Sequence, residues 1–281
     1  MTTPIPHIQD KPYYPVVDYM WIGAIVFIIW FHCPPRFSAP VDNCLWYLGI
    51  AFFFFISGLL FTVDPTKKFW EFVCNRASRL LWPSLVCYIF FYLLWLVWGR
   101  YHAGIEDLEA NWYDPIIELL QGLPTLVAAP LWFIICLFLM QVLSFVLCKI
   151  WKVTVLPLVG ILLCVLALFF DWNFYTINFL CTFFLWHALG TMFRQSRYWS
   201  TYIKTGKRQK TIIDIKEGGV IIVACQNYVI GILSMTLRFA GYDLSEAPLY
   251  MKFVIAIIST VICITIALFC KRYLPFVLKR T

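Results

Sequence analysis

The stretch LLWPSLVCYIFFYLLWLVWG, residues 80–99, decides the fold class of this chain. It holds no charged residue over twenty positions, and a helix of about 20 apolar residues crosses a hydrocarbon core of about 30 Å. The stretch therefore predicts a membrane-spanning helix. Pro83 is expected near the start of that helix, where a missing N–H group is tolerated.

Seven further segments of the same kind lie along the chain. They are residues 16–33, 45–63, 131–148, 153–170, 174–193, 219–237 and 251–270. The chain is 62% hydrophobic and 13% charged, whereas soluble domains are about half apolar and about a quarter charged. The sequence thus predicts an all-α, polytopic transmembrane bundle of about eight membrane helices, organised as a single integral-membrane domain over residues 1–281.

Lysine and arginine placement predicts the orientation of the bundle. With the amino terminus inside, 18 of the 22 basic residues fall on inner segments. The four on outer segments are Arg36, Arg100, Arg238 and Lys252. Both termini are therefore expected to be cytoplasmic. This asymmetry also accounts for the net charge of +7 without a nucleic-acid partner.

Cysteine and metal-ligand patterns point to little further chemistry. Most of the eleven cysteines lie in apolar runs, where cysteine acts as a small hydrophobic residue. Cys33 and Cys44 flank the first outer loop, so a disulfide between them is possible, although their spacing alone does not favour one. No pair of histidine, cysteine or acidic residues has metal-ligand spacing, and we predict no metal site.

Two helix starts are predicted outside the spans. Asp114-Pro115 opens a short interfacial helix in the acidic outer segment, with Asp114 as the cap. Asp64-Pro65 is expected to start an inner helix whose apolar face carries Phe69, Phe72, Val73, Arg76 and Arg79. Two guanidinium groups one turn apart suit phosphate groups. The alternative is simple anchoring at the inner surface.

The stretch IVFIIWFHCPPRF, residues 25–37, places a histidine at the outer end of the first span. His32 lies sixteen residues after Val16, or about 24 Å along a helix axis. It is either an interfacial histidine bonded to water or headgroups, or a general base. His187, Gln226 and Asn227 also lie within spans, where polar groups mark functional sites or join helices by hydrogen bonds.

The order of these motifs resembles the acyltransferase 3 family of integral-membrane acyltransferases. The matching features are Asp18 and His32 in helix one, the run Phe52–Phe55 leading to Ser57-Gly58, Arg76-x-x-Arg79-Leu80 with Pro83, and Leu131-Trp132-Phe133. They cover about residues 15–140 in order.

The resemblance implies acyl transfer, most often of acetyl from acyl-coenzyme A as co-substrate, to a hydroxyl of a cell-surface or exported glycan. By this analogy His32 is the base, and Arg76 and Arg79 hold the coenzyme phosphates. The chain would be a multi-pass protein of a bacterial cytoplasmic membrane. The acyl-pantetheine arm would then thread through the bundle. We expect Ser57, Gln226 and Asn227 to border its path, with His187 as a further pathway or acceptor residue.

Two features depart from that family. Members usually carry a basic residue three positions after the helix-one aspartate, where this chain has Trp21. They also more often have ten membrane helices. One alternative is a flippase or transporter for a lipid-linked glycan, which the basic inner loops and the polar residues within spans would suit. The other is a catalytically inactive member that acts as a partner in surface polysaccharide synthesis, which the Trp21 departure suggests.

Overall fold

The computed structural model describes residues 14–35, 37–62, 64, 66–99, 110–121, 127, 131–170, 175–196, 199, 203, 210–242, 244, 247–274 and 276–278. The α-helices in these ranges are α1 (Pro15–His32), α2 (Ala39–Leu60), α3 (Phe69–Leu94), α4 (Asp114–Gln121), α5 (Trp132–Ile150), α6 (Leu156–Phe169), α7 (Tyr175–Gln195), α8 (Lys210–Glu217), α9 (Gly219–Phe239) and α10 (Leu249–Tyr273). A π-helical turn (Trp95–Gly99) extends α3, and a 3-10 turn (Val153–Val155) precedes α6.

The predicted all-α membrane bundle is confirmed. Within the described ranges, seven helices are long and apolar enough to cross a membrane, and the segment Val153–Phe169 is a shorter apolar helix. Each of the eight predicted segments thus corresponds to a helix. Pro157 lies in the first turn of α6, where its missing N–H costs no hydrogen bond.

The short α6 crosses the bundle, as the direction of its neighbours requires. Trp132 at the start of α5 stacks on Phe179 near the start of α7, with ring centroids 4.0 Å apart. Both rings also contact Trp46 near the start of α2, so α2, α5 and α7 run parallel. Because α6 joins the end of α5 to the start of α7, it must return across the bundle. Its Gly160 packs on Leu185 of α7.

The start of α1 and the end of α10 lie on the same side of the bundle. Helix α8 contacts both, because Lys216 pairs with Asp18 of α1 while Asp214 and Glu217 pair with Lys271 of α10. We call this the Asp18 side, and the opposite side, where α1 ends, the His32 side. That the Asp18 side faces the cytoplasm is the orientation predicted from the basic residues.

Helix α3 differs from the prediction in where it begins. It starts at Phe69 and runs without a break through Pro83, so the amphipathic segment and the membrane span share one axis. Asp64 does not start this helix; its carboxylate accepts the N–H and hydroxyl of Thr66 in a local turn. The prediction of Pro83 near a helix start was therefore wrong. It lies in the helix interior, and the carbonyl four residues earlier receives no N–H from it.

The short helix α4 is confirmed as an element that begins at Asp114. Two tyrosines of α3 fasten it: Tyr88 donates its hydroxyl to the carbonyl of Pro115, and Tyr92 donates to that of Trp112. The Asp114 carboxylate accepts from the backbone N–H of Asn111, upstream of the helix.

The possible disulfide between Cys33 and Cys44 does not form. Cys33 is buried, and its thiol donates to the carbonyl of Ile29 in its own helix. Cys44 is exposed on α2. One thiol points into the bundle and the other away from it, so the sulfurs do not meet.

Helices α2 and α7 touch backbone to backbone at two glycines. A Cβ atom built on Gly58 would lie 2.1 Å from the carbonyl oxygen of His187, and one built on Gly190 would lie 2.1 Å from that of Phe55. Small residues allow such close approach between membrane helices. The glycine of the Ser57-Gly58 motif therefore sets the spacing of the two central helices.

We expect Gly58→Ala to lower the free energy of unfolding by about 1–3 kcal/mol, because the added methyl group forces two backbones apart. Thermal or SDS unfolding of detergent-solubilised protein, followed by tryptophan fluorescence, measures the loss. The matched control is Gly231→Ala in α9, where an added Cβ meets nothing within 4 Å. Equal stability of the two variants would contradict the close contact.

Candidate active site

His32 is the last residue of α1 and is half-buried. Its Nδ1 atom lies 2.7 Å from the carbonyl oxygen of Ile28. A carbonyl can only accept, so Nδ1 carries the hydrogen and donates it, and in the neutral ring Nε2 carries the lone pair. This is the tautomer that a general base needs, with its orientation fixed by the first turn below it.

Arg76 and Arg79 lie together at the opposite end of the bundle. The Arg76 guanidinium sits 5.3 Å from the centroid of the Phe72 ring, and the charges of the two arginines act on each other. Phe72 stacks on Phe145 of α5 at 4.1 Å. The apolar face of α3 thus includes Phe72 and the half-buried Arg76, whereas Arg79 is exposed.

Ser57 and His187 meet between α2 and α7. The Ser57 hydroxyl lies 3.1 Å from Nδ1 of His187, and His187 is wholly buried with the ring of Phe61 edge-on against it at 5.4 Å. Phe61 also contacts Phe72, whose ring centroid lies 5.3 Å from the Arg76 guanidinium. The structure therefore brings Ser57, His187 and Arg76 into one region on the Asp18 side. Nε2 of His187 has no hydrogen-bond partner among the described residues.

His32 lies far from that region. The Trp21 and Phe53 rings pack 6.5 Å apart, so these positions of α1 and α2 are at similar depth. His32 is eleven residues above Trp21 and Ser57 is four residues below Phe53, which separates them by about 20 Å of helix axis. His32 and His187 are therefore too far apart along the bundle axis to contact each other.

Gln226 and Asn227 lie in the half of the bundle nearer His32. Gly219 at the start of α9 packs on Trp21, and Gln226 lies seven residues, or about 10 Å, further toward the His32 side. Gln226 is wholly buried, and neither atom of its amide has a hydrogen-bond partner in the described part of the chain. Asn227 is half-buried.

Polar residues on α5 were missed from the sequence. Gln141 and Ser144 are buried, and their oxygens lack partners among the residues described. Ser144 precedes Phe145, which stacks on α3 near the arginines, so both belong to the Asp18 half. An amide and a hydroxyl at i and i+3 within an apolar span was the signal that could have identified them.

Asp18 has the positive partner that Trp21 does not provide. The Lys216 ammonium, from α8, lies 2.5 Å from the Asp18 carboxylate, whose side chain is 3% exposed. Trp21 instead packs against Gly219. A charge expected three residues along α1 is thus supplied by another helix, which no local sequence pattern could reveal.

A comparison with protein-family models matches residues 14–271 to the model described as "Acyltransferase domain", that of the acyltransferase 3 family. The match covers most of the chain, including the second half, in which no sequence motif resembled the family. No curated protein and no solved structure matches the chain significantly.

Lys216→Met should lower the free energy of unfolding by about 3 kcal/mol, the low end for broken buried ion pairs, because Lys216 is partly exposed. SDS or thermal unfolding in detergent measures this loss. Adding Asp18→Asn to this variant removes the carboxylate that has lost its positive partner, so the double variant should recover most of the stability. A double variant no more stable than Lys216→Met would contradict a direct pair.

Proposed function

Because the chain belongs to the acyltransferase 3 family, we propose that it is a membrane-embedded O-acyltransferase. It would move an acyl group, most simply acetyl, from cytoplasmic acyl-coenzyme A to a hydroxyl of a cell-surface or exported glycan. The observation that carries this proposal is the hydrogen bond from His32 to Ile28, which assigns the hydrogen to Nδ1 and the basic lone pair to Nε2. This half-buried imidazole lies at one end of the bundle.

His32 would act as the general base on the acceptor. A neutral imidazole removes a proton from a hydroxyl near neutral pH, and positioned proton transfer contributes about 10²–10⁴-fold to a rate. His187 is a weaker candidate for this role. It is wholly buried beneath Phe61, where a glycan hydroxyl would have to displace core side chains.

The donor would bind at the other end, on Arg76 and Arg79. Coenzyme A carries phosphate groups, and paired guanidinium groups bind phosphate oxygens bidentately. Lys216, on the same side, is the positive partner of Asp18. This lysine supplies the positive charge that is missing at Trp21. The missing charge suggested an inactive member, so the presence of Lys216 supports an active enzyme.

The acyl-pantetheine arm would bridge the two ends. Pantetheine is narrow and contains two amide groups, and the polar side chains between the ends are suited to it. Gln226 is wholly buried and its amide has no hydrogen-bond partner among the described residues. A buried amide left in that way costs roughly 1–3 kcal/mol. A hydrogen bond from a bound donor would relieve that cost. Ser57, His187 and Asn227 are the further polar residues along the route.

The reaction proposed is direct transfer. Nε2 of His32 takes the proton of the acceptor hydroxyl while its oxygen attacks the thioester carbonyl. The tetrahedral oxyanion would be stabilised by an N–H donor, for which the wholly buried Gln226 amide is a candidate. Collapse of this intermediate breaks the carbon–sulfur bond, and the departing thiolate takes the proton back from the imidazolium. The products are an O-acyl glycan and coenzyme A.

Replacing His32 with glutamine should reduce acyl transfer by about 10²–10⁴-fold, because the variant cannot accept the proton. Mass spectrometry of surface glycan from cells expressing each variant measures the added acyl mass. His102→Gln is the matched control, since this histidine lies outside the predicted spans.

The outcomes of that experiment separate the reaction class from the base. If the unaltered protein adds no acyl mass to any glycan, the enzyme proposal is wrong. If His32→Gln still adds acyl mass at the unaltered rate, the reaction stands but His32 is not its base.

Arg76→Gln should raise the KM for the acyl donor by about tenfold or more, as expected from losing a charge-assisted hydrogen bond. Labelling of membranes with radioactive acetyl-coenzyme A over a range of concentrations measures it. Lys67→Gln, a surface lysine paired with Glu71, is the control for general loss of positive charge. Equal labelling by Arg76→Gln and Lys67→Gln would remove the coenzyme role of the arginine.

A further inference from the structure

Lys252 is a charged residue that is wholly buried inside the bundle. It lies in the first turn of α10, on the His32 side. Its ammonium group donates to the carbonyl oxygen of Cys33 at 2.6 Å and to that of Pro35 at 2.9 Å, and lies 3.5 Å from that of Phe31. These three carbonyls belong to the residues on either side of His32.

Two aromatic rings complete the surroundings of the ammonium. The Trp30 centroid lies 5.2 Å from Nζ and the Phe37 centroid 5.0 Å away. Both distances suit a cation–π interaction. The carbonyl end of α1 also carries the negative end of the helix dipole, which favours a cation there. The chain thus assembles a site for one positive charge around the end of α1.

We propose that Lys252 is a positioning residue for His32. A buried ammonium is costly unless protein groups replace its water, so the carbonyls of residues 31, 33 and 35 are drawn toward one point. This holds the backbone that carries the imidazole, and with it the Nδ1–H to Ile28 hydrogen bond. The proposal rests on the proposed function of His32 as the base.

The competing explanation is that Lys252 only fastens α10 to α1. A fastening role predicts a loss of stability on substitution and nothing more. A positioning role predicts in addition that the tautomer and orientation of His32 change. These two effects are separable, because the tautomer can be observed without any acyl transfer.

The first measurement is the ¹⁵N spectrum of protein labelled at its histidine rings, in detergent or nanodiscs. The chain has four histidines, so His32→Gln identifies the signals of His32. In the unaltered protein we expect one tautomer, with the hydrogen on Nδ1. In Lys252→Met, which keeps the length of the side chain but not its charge, we expect exchange between tautomers. Unchanged His32 signals in Lys252→Met would overturn the proposal.

The second measurement is acyl-transfer kinetics. Misplacement of a reacting group by about 1 Å costs about 100-fold in rate, so kcat of Lys252→Met should fall by that order. The KM for acetyl-coenzyme A should stay unchanged, since the donor site lies at the other end of the bundle. Lys252→Arg keeps the charge and several N–H donors and should recover part of kcat. Full activity in Lys252→Met would overturn the positioning role.

Lys149→Met is the matched control. Lys149 also donates to one carbonyl oxygen, that of Lys67, and lies 5.0 Å from an aromatic centroid, that of Phe145, but on the Asp18 side. It should leave the His32 signals unaltered, and a change in them would overturn the assignment to Lys252. If Lys252→Met does not fold, Lys252→Gln keeps a donor without the charge, and the same spectral criterion applies. Should the unaltered protein transfer no acyl group, the proposed function fails while the spectra still decide the role of Lys252.

Discussion

A charge can remain inside a bilayer only where protein groups take over the role of water, and this constraint fixes both ends of α1. At one end the buried Asp18 carboxylate meets Lys216 of α8. At the other, the ammonium of Lys252 is surrounded by carbonyls and aromatic rings. The two lysines come from two different helices, α8 and α10. Their contacts therefore also determine how α1 packs against the last part of the chain. His32 lies at the end of a helix held in this way.

The centre of the bundle depends on contact rather than charge. Lipid supplies no hydrophobic drive to bring helices together, so close backbone approach and hydrogen bonds join them. Gly58 and Gly190 permit that approach between α2 and α7, and the bond between Ser57 and His187 crosses the same interface. The Ser57-Gly58 motif therefore has a packing role, and the buried pair of Ser57 and His187 lies at the same interface.

The two ends of the bundle differ in chemistry. Paired arginines on one side suit an anionic donor, and an oriented imidazole on the other suits a hydroxyl acceptor. About 20 Å of helix separates His32 from Ser57, which lies in the same region as Arg76. A soluble donor and an acceptor on the far side, as proposed, would therefore have to meet through the protein. The buried amide of Gln226, which has no partner within the described part of the chain, lies between these ends, where a polar arm could form hydrogen bonds with it. The positions of these polar groups are thus compatible with the proposed acyl transfer across the membrane.

The sequence alone determined the number and kind of the membrane segments, because apolar length is a local property that lipid thickness selects. It also selected His32, Arg76 and Arg79 as candidate site residues, because imidazole and guanidinium groups have their chemistry in the side chain itself. It located the start of α3 wrongly, because an amphipathic turn and an apolar span continue as one helix when no group forces a break. It counted Lys252 as an outer charge, although an ionisable residue just inside a span could have marked it as functional. The partners of Asp18, His187 and Lys252 were decided only by the tertiary structure, since each lies on a helix far along the chain and only packing brings it within hydrogen-bond distance.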